Sequence, residues 1–539
     1  MVEHLLAKQK VASSNLVSRS NISLKITRAI LSLGLAMEQI DVLIVGAGIS
    51  GIGSACHLLS KCPGKSFTII EAREEYGGTW DLFRYPGIRS DSDMHTLGFN
   101  FKPWVADKSI ADGPSIKKYL KETIDENNLE EHIQYRTKLM SANWSSEDRI
   151  WNVDIVQNGK TGRLSCKFLM MCSGYYDYEK PFRPDFQNEE LFTGQTIHPQ
   201  LWPKDLDYKD KKIVVIGSGA TAMTLVPALA DKAETVTMVQ RSPTYVVSMP
   251  DEDRLANLLR TLLPSSWAYA ITRFKNTKLQ QIIYKRMRTH PQKMKRYLVG
   301  LVKKALGPEY DVDTHFTPSY NPWDQRMCLI PNGDLFRSLR SGKTQVVTEH
   351  IECFTPNGLR LKSGQELEAD IIVTATGLNM QLMGGAEFYI DDRPIDFAEK
   401  FSYKGMMYAG IPNLIQTFGY INASWTLRAD LTAEYACRLI NRIDELGADY
   451  CVARLAEEDS NMMAKPWIEN FSAGYIQRSL DLMPKQGEED PWRNTQNYAL
   501  DKKIIRDAPL EDGVMTFVDV ALTQDTPDSG ASRDTKVAA

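Results

Sequence analysis

The sequence predicts an α/β protein made of two Rossmann-like dinucleotide-binding domains with a helical insertion, and three observations predict it. An apolar run ending at Val45 leads straight into Gly46, Gly48 and Gly51, spaced GxGxxG. A second run, KKIVVIG, leads into Gly217, Gly219 and Ala222, spaced GxGxxA. Between Pro250 and Tyr320 the composition turns to long helical stretches rich in Lys and Arg, which read as an insertion in the second unit.

Length and composition set the frame. A chain of 539 residues is too long for one hydrophobic core. Its 43% hydrophobic and 24% charged residues are those of an ordinary globular protein, and a net charge of -4 gives no pull toward nucleic acid. Eight cysteines without a CxxC pair or metal-ligand spacing point to reduced thiols in the cytoplasm, with no metal site. No run of about 18 uncharged apolar residues suggests a membrane span. The first 36 residues hold five basic residues, one acid and several serines, which loosely resembles a transit peptide. The preferred reading is an extension preceding Met37, with residues 1–37 lacking structure.

In the first unit the leading glycines let backbone approach a pyrophosphate at a helix N-terminus, and the third lets helix pack on strand. The next strand, SFTIIEA, ends at Glu71, twenty residues past Gly51, where an acid accepts hydrogen bonds from a ribose without a 2′-phosphate. Residues 77–91, GGTWDLFRYPGIRSD, hold too many Gly, Pro and aromatic residues for a regular helix and read as a loop against the dinucleotide. Asp91 and Asp93 on it are loop charges, caps or functional groups. A helix over 115–128, a hairpin strand at IWNVDIV and a buried strand ending at Gly174 follow, with Pro181 and Pro184 opening a linker.

The second unit's next strand, TVTMVQR, ends in Arg241 instead of an acid. A guanidinium there pairs with a 2′-phosphate, which assigns this unit to NADPH and the Glu71 unit to FAD; the competing reading is a solvated strand-end charge. The basic insertion reads as a solvated helical face, with contact to an anionic membrane as the alternative. DIIVTATG, residues 370–377, is a last buried strand; a helix near 432–442 completes the first domain, and a polar tail follows.

Two nucleotide sites of these kinds imply hydride transfer from nicotinamide to flavin. Cys56 falls within the first helix and Cys62 just after it, the wrong place for a flavin-facing dithiol, so dioxygen is the expected acceptor, giving a flavin peroxide.

Residues 192–203, FTGQTIHPQLWP, carry the pattern FxGxxxHxxxWP through Phe192, Gly194, His198, Trp202 and Pro203. This resembles the fingerprint of type I Baeyer-Villiger monooxygenases. The loop with Gly78, Trp80, Tyr85, Pro86, Gly87 and Asp91 is similar to that family's second signature, and its continuation resembles the subgroup of the mycobacterial ethionamide-activating monooxygenase. His198 by residue type is a hinge or packing histidine before it is a catalytic one. The resemblance implies that Arg326 reaches the flavin and that Asp91 orients it, with Trp80 near FAD. Relatives of the cyclohexanone type have Lys where this chain has Gln325.

The domains expected are an FAD domain over 38–180 and 378–505, a linker over 181–207 carrying the fingerprint, an NADP domain over 208–243 and 323–377, the insertion over 244–322, and a tail over 506–539. The implied reaction is insertion of oxygen beside a ketone carbonyl to give an ester or lactone, with sulfide oxidation as a side activity. The alternatives are an N- or S-oxidising flavin-containing monooxygenase and a flavoprotein that binds or senses without oxygenating. Substrate identity and oligomeric state have no sequence signal.

Overall fold

The protein is described from a computed structural model, which covers residues 39–519 apart from 457, 458, 460, 461 and 470. The N-terminal extension and the last part of the tail therefore lie outside the described residues.

Strand Gln39–Val45 lies inside a nine-stranded sheet, parallel to Phe67–Ile70 on one side and Lys160–Met171 on the other. Its apolar run is continuous because both faces are covered. Val42 and Ile44 join a core with helices Ile49–Lys61 and Trp425–Leu446, whereas Leu43 and Val45 join Trp144, Trp151 and Phe388 beneath the hairpin. That hairpin, Thr137–Ser145 with Ile150–Gln157, continues antiparallel from Lys160–Met171, and Leu414–Gln416 returns late in the chain to pair with Lys160–Met171. Leu431 and Leu439 are fully buried, each contributing about 2 kcal/mol by leaving water. The buried carboxylate of Asp430 on the same helix meets His57 and Arg273, each at 3.2 Å, tying the first helix, this late helix and the insertion together.

The second sheet is parallel throughout, in the order Thr344–Thr348, Thr235–Gln240, Lys212–Ile216, Ile371–Thr374, Gln195–Ile197. Two expectations change here. The fingerprint is more than a linker, since Gln195–Ile197 forms the edge strand of this sheet, in register with Ile371–Val373. The tail does not begin at 506: Met515–Val518 pairs antiparallel with Tyr450–Ala453, and Asp512 accepts a hydrogen bond from Tyr403 at 2.6 Å. Alternating Met515 and Phe517 bury one face of that strand, a pattern too short to stand out in a polar stretch.

The insertion is four helices, Arg254–Leu262, Ser265–Thr289, Pro291–Leu306 and Val312–Phe316, between the paired strands Val246–Met249 and Cys328–Pro331. The loop 77–91 is irregular except for one helical turn, Thr79–Leu82.

Candidate active site

The first glycine turn is set by contacts no side chain could share. A Cβ on Gly51 would lie 1.8 Å from the carbonyl oxygen of Gly46, and one on Gly46, at φ +106°, 2.7 Å from that of Cys172. Gly48 caps the helix Ile49–Lys61 opposite Gly78, whose Cα would be 3.7 Å from a Cβ at Gly48. The N–H of Gly77 donates to the Ala47 carbonyl at 2.9 Å, closing this cradle. Glu71 is buried at its rim; its carboxylate accepts from the N–H of Ala47 at 2.8 Å and of Arg73 at 2.9 Å. Burial raises its pKa and those two donors oppose the rise.

From this cradle the loop 77–91 crosses to the second unit. Gly87, at φ +78°, packs so that a Cβ would sit 2.8 Å from the Ala228 Cβ on helix Ala220–Leu229. Arg89 pairs with Asp334 at 2.6 Å, and the buried Tyr85, its hydroxyl bonded to Thr221, has its pKa pushed up to about 12 by burial. The loop therefore spans both nucleotide units.

At its end, Asp91 Oδ2 meets Arg326 Nη2 at 2.7 Å. Arg326 lies just before strand Cys328–Pro331, so the pair joins the first unit to the far edge of the insertion. Asp91 holds the guanidinium proton well above the ordinary arginine range. Tyr175, Tyr176 and Tyr475 surround the same cation, and burial raises all three phenols, which stay protonated. The Tyr175 and Tyr176 hydroxyls are 2.6 Å apart, and Tyr175 stacks on Trp425 with ring centroids 5.2 Å apart. Trp425 in turn donates to Ser50 Oγ at 2.7 Å, anchoring this aromatic wall to the first helix. Sequence reasoning missed these four residues. Gly174-Tyr175-Tyr176 at the carboxyl end of a sheet strand was a usable signal; Tyr475 and Trp425 had none.

A cavity of about 500 Å³ runs past Gly46, Gly48, Glu71, Trp80, Asp91 and Arg326 and reaches Ala220 and Thr221 at the start of the second unit's helix. Ser173 on its wall has a buried hydroxyl oxygen with no protein partner. An elongated cavity with a side-chain-free cradle, an acid at the ribose position and an unpartnered donor fits a bound dinucleotide.

The remaining site residues lie elsewhere. Gly217, at φ +137°, is pressed against Ala375, where a Cβ would meet the carbonyl oxygen at 2.3 Å. Ala222 is fully buried; Gly219 faces open space at its helix N-terminus, and Arg241 is exposed at its strand end. The fingerprint does not line the cavity. Phe192 packs on Phe354, Trp202 packs on the second unit's core, and Gly194 and the half-buried Pro203 shape the backbone between them. His198 Nδ1 accepts from the Gln200 N–H at 3.2 Å, so its proton sits on Nε2, which donates to the Gly377 carbonyl at 3.2 Å. Burial lowers its pKa to about 4, leaving a neutral latch between the edge strand and the turn where the chain recrosses. Asp93 caps helix Met94–Leu97 and also accepts from Asn276 and Gln280, both at 3.0 Å.

Residues 108–383 match the family described as flavin-binding monooxygenase-like, and residues 44–107 match the NAD(P)-binding Rossmann-like domain. The chain is 52% identical over 481 residues to the FAD-containing monooxygenase EthA of Mycobacterium tuberculosis (strain ATCC 25618 / H37Rv), covering 89% of this chain and 98% of that one. It is 48% identical over 485 residues to the probable FAD-binding monooxygenase AlmA of Acinetobacter sp, covering 89% and 96%. In fold it resembles an oxidized steroid monooxygenase bound to NADP (TM-score 0.71, 19% identity, covering 89% and 99%). It also resembles cyclohexanone monooxygenase from Rhodococcus sp. Phi1 bound to NADP+ (TM-score 0.64, 20% identity, covering 78% and 87%). Identity of this order across nearly all of a relative's length, together with a family match over residues 108–383 that includes the second sheet and the insertion, leaves one assignment: the chain belongs to the flavin-binding monooxygenase-like family.

Proposed function

We propose that the protein is an FAD- and NADPH-dependent Baeyer-Villiger monooxygenase that inserts one oxygen atom of dioxygen beside a ketone carbonyl. The observation that carries this reading is the Asp91–Arg326 pair on the wall of the cavity that begins at the first glycine turn. Gly46, Gly48, Gly51, Glu71 and Trp80 would hold FAD, and Gly217, Gly219, Ala222 and Arg241 would hold NADPH. Bound FAD, reduced by NADPH, supplies the activation of dioxygen.

The protein's part is electrostatic. Arg326 is always charged and gives up no proton at neutral pH, so it stabilises negative oxygen without quenching it. In this reading it offsets the charge that grows on a ketone oxygen under attack, an interaction whose loss typically costs about 3 kcal/mol of barrier. Asp91 fixes the plane of the guanidinium, and the protonated tyrosines add neutral O–H groups beside it. Phe418, Trp467, Ile468 and Phe471 form a buried apolar cluster behind Tyr175 and Trp425, which keeps water from that side of the aromatic wall.

The test is product analysis with an aliphatic ketone under labelled dioxygen, beside Arg326→Ala. Labelled ester from the wild type and none from a variant with full flavin content would support the assignment. Oxidation of a sulfide or amine but not of ketones, unaffected by Arg326→Ala, would move the protein to the heteroatom-oxidising class. NADPH consumption without any oxygenated product would favour a redox-sensing flavoprotein.

A further inference from the structure

Charge in this chain is segregated. Residues 254–306 contain thirteen Lys and Arg and no Asp or Glu, in a chain whose net charge is -4. Arg260, Arg273, Lys275, Arg288 and Lys303 are drawn to carboxylates outside that segment. Arg254, Lys278, Lys285, Arg286, Lys293 and Arg296 are exposed.

The same helices turn apolar side chains to solvent. On Arg254–Leu262, Leu255, Leu258 and Leu262 recur at helical spacing, and Leu262 is 70% exposed. On the adjoining helix Ser265–Thr289, Trp267, Ile271, Phe274 and Ile282 form one row, which also contains Lys278 and Lys285. Trp267 is 68% and Phe274 67% exposed, far beyond what packing within the chain leaves on a typical aromatic. This row is rigidly presented. The opposite side of the helix buries Tyr269, Thr272 and Thr277, and Arg273 donates to the carbonyls of His95 at 2.9 Å and Gly98 at 2.7 Å.

We propose that this pair of helices docks the protein on an anionic membrane surface, with Leu262, Trp267, Ile271 and Phe274 entering the headgroup boundary and Lys278 and Lys285 meeting lipid phosphates. An amphipathic helix with a basic border and an interfacial tryptophan lies in the plane of a membrane. It does not span one: no helix among the described residues is long and apolar enough to cross. A second copy seated on this face would bring two predominantly basic surfaces together, which opposes self-association. A nucleic acid would satisfy the charges and leave the apolar row in water. The docked helix is the one whose inner side binds Asp93 through Asn276 and Gln280, and Asp324 through Arg288. Each of those carboxylates is two residues from a member of the Asp91–Arg326 pair, so docking sets the cavity beside the lipid surface.

The experiment is co-sedimentation of the flavin-loaded full chain with vesicles of mixed phosphatidylglycerol and phosphatidylcholine, against phosphatidylcholine alone. Binding to the anionic vesicles is expected to be at least roughly tenfold tighter and to be released by high salt. Trp267→Glu with Phe274→Glu, and separately Lys278→Glu with Lys285→Glu, should each weaken it about tenfold at unchanged flavin content and melting temperature. Absent binding, equal binding to both vesicles, or binding indifferent to both double variants would overturn the proposal. So would a change of oligomeric state in the variants without a change in vesicle binding, which would make the face a contact between copies.

Discussion

Gly87 lies against Ala228 so closely that a single methyl group on it would come within 2.8 Å of the neighbouring Cβ, at a backbone φ of +78° that disfavours any side chain. This contact is where the loop of the first nucleotide unit meets the first helix of the second. Gly87→Ala should therefore strain the backbone and separate the units, at a cost of about 1 to 3 kcal/mol. A lower melting temperature followed by flavin fluorescence, with reduced coupling of NADPH oxidation to product, is expected. An unchanged melting temperature would show that the interface relaxes without loss.

In the proposed reaction Asp91 acts through Arg326, which it meets at 2.7 Å. Removing the carboxylate in Asp91→Ala leaves the cation in place but frees its plane, and misplacement of this kind typically lowers turnover about 100-fold. The expected signature is a fall in kcat on ketone with flavin content unchanged. Equal kcat in variant and wild type would remove Asp91 from the machinery.

Arg241 is exposed at the strand end, where a 2′-phosphate would sit. Arg241→Ala should lower the preference for NADPH over NADH roughly 10- to 100-fold, the worth of a lost charged hydrogen bond, mainly through KM for NADPH. Steady-state kinetics with both coenzymes check this, and an unchanged preference would assign Arg241 to solvent.

His198 makes stability depend on pH. Its folded pKa, about 4, lies below the value of about 6.5 expected in the unfolded chain, because burial penalises the charged ring. The unfolded state takes up a proton first as pH falls. The contribution is therefore complete above about pH 6.5 and is lost on the way down to the folded pKa, on the order of 3 kcal/mol in all. Melting temperatures measured across that window should fall more steeply in the wild type than in His198→Gln. Parallel curves would contradict a buried neutral His198.

Much of the fold was legible because its signals are local. Within each unit the apolar run, the glycine turn and the residue ending the next strand, Glu71 or Arg241, lie within about thirty residues, and strand-turn-helix geometry demands those residue types there. The likeness of the fingerprint and the loop pointed to Asp91 and Arg326 as partners, and the side chains do meet. Where the fingerprint acts was not legible: its five marked residues flank an edge strand that His198 latches to Gly377, away from the cavity.

The sequence by itself determined the two nucleotide units, their order and the basic character of the insertion, since periodicity, turn chemistry and charge are properties of neighbouring residues. Tertiary structure alone decided that Tyr175, Tyr176 and Tyr475 converge on one guanidinium, that residues 515–518 are a strand, and that Trp267 and Phe274 face outward. Those outcomes depend on which distant surfaces cover which. A helix with apolar residues on more than one side carries no local mark of which side the rest of the chain will bury.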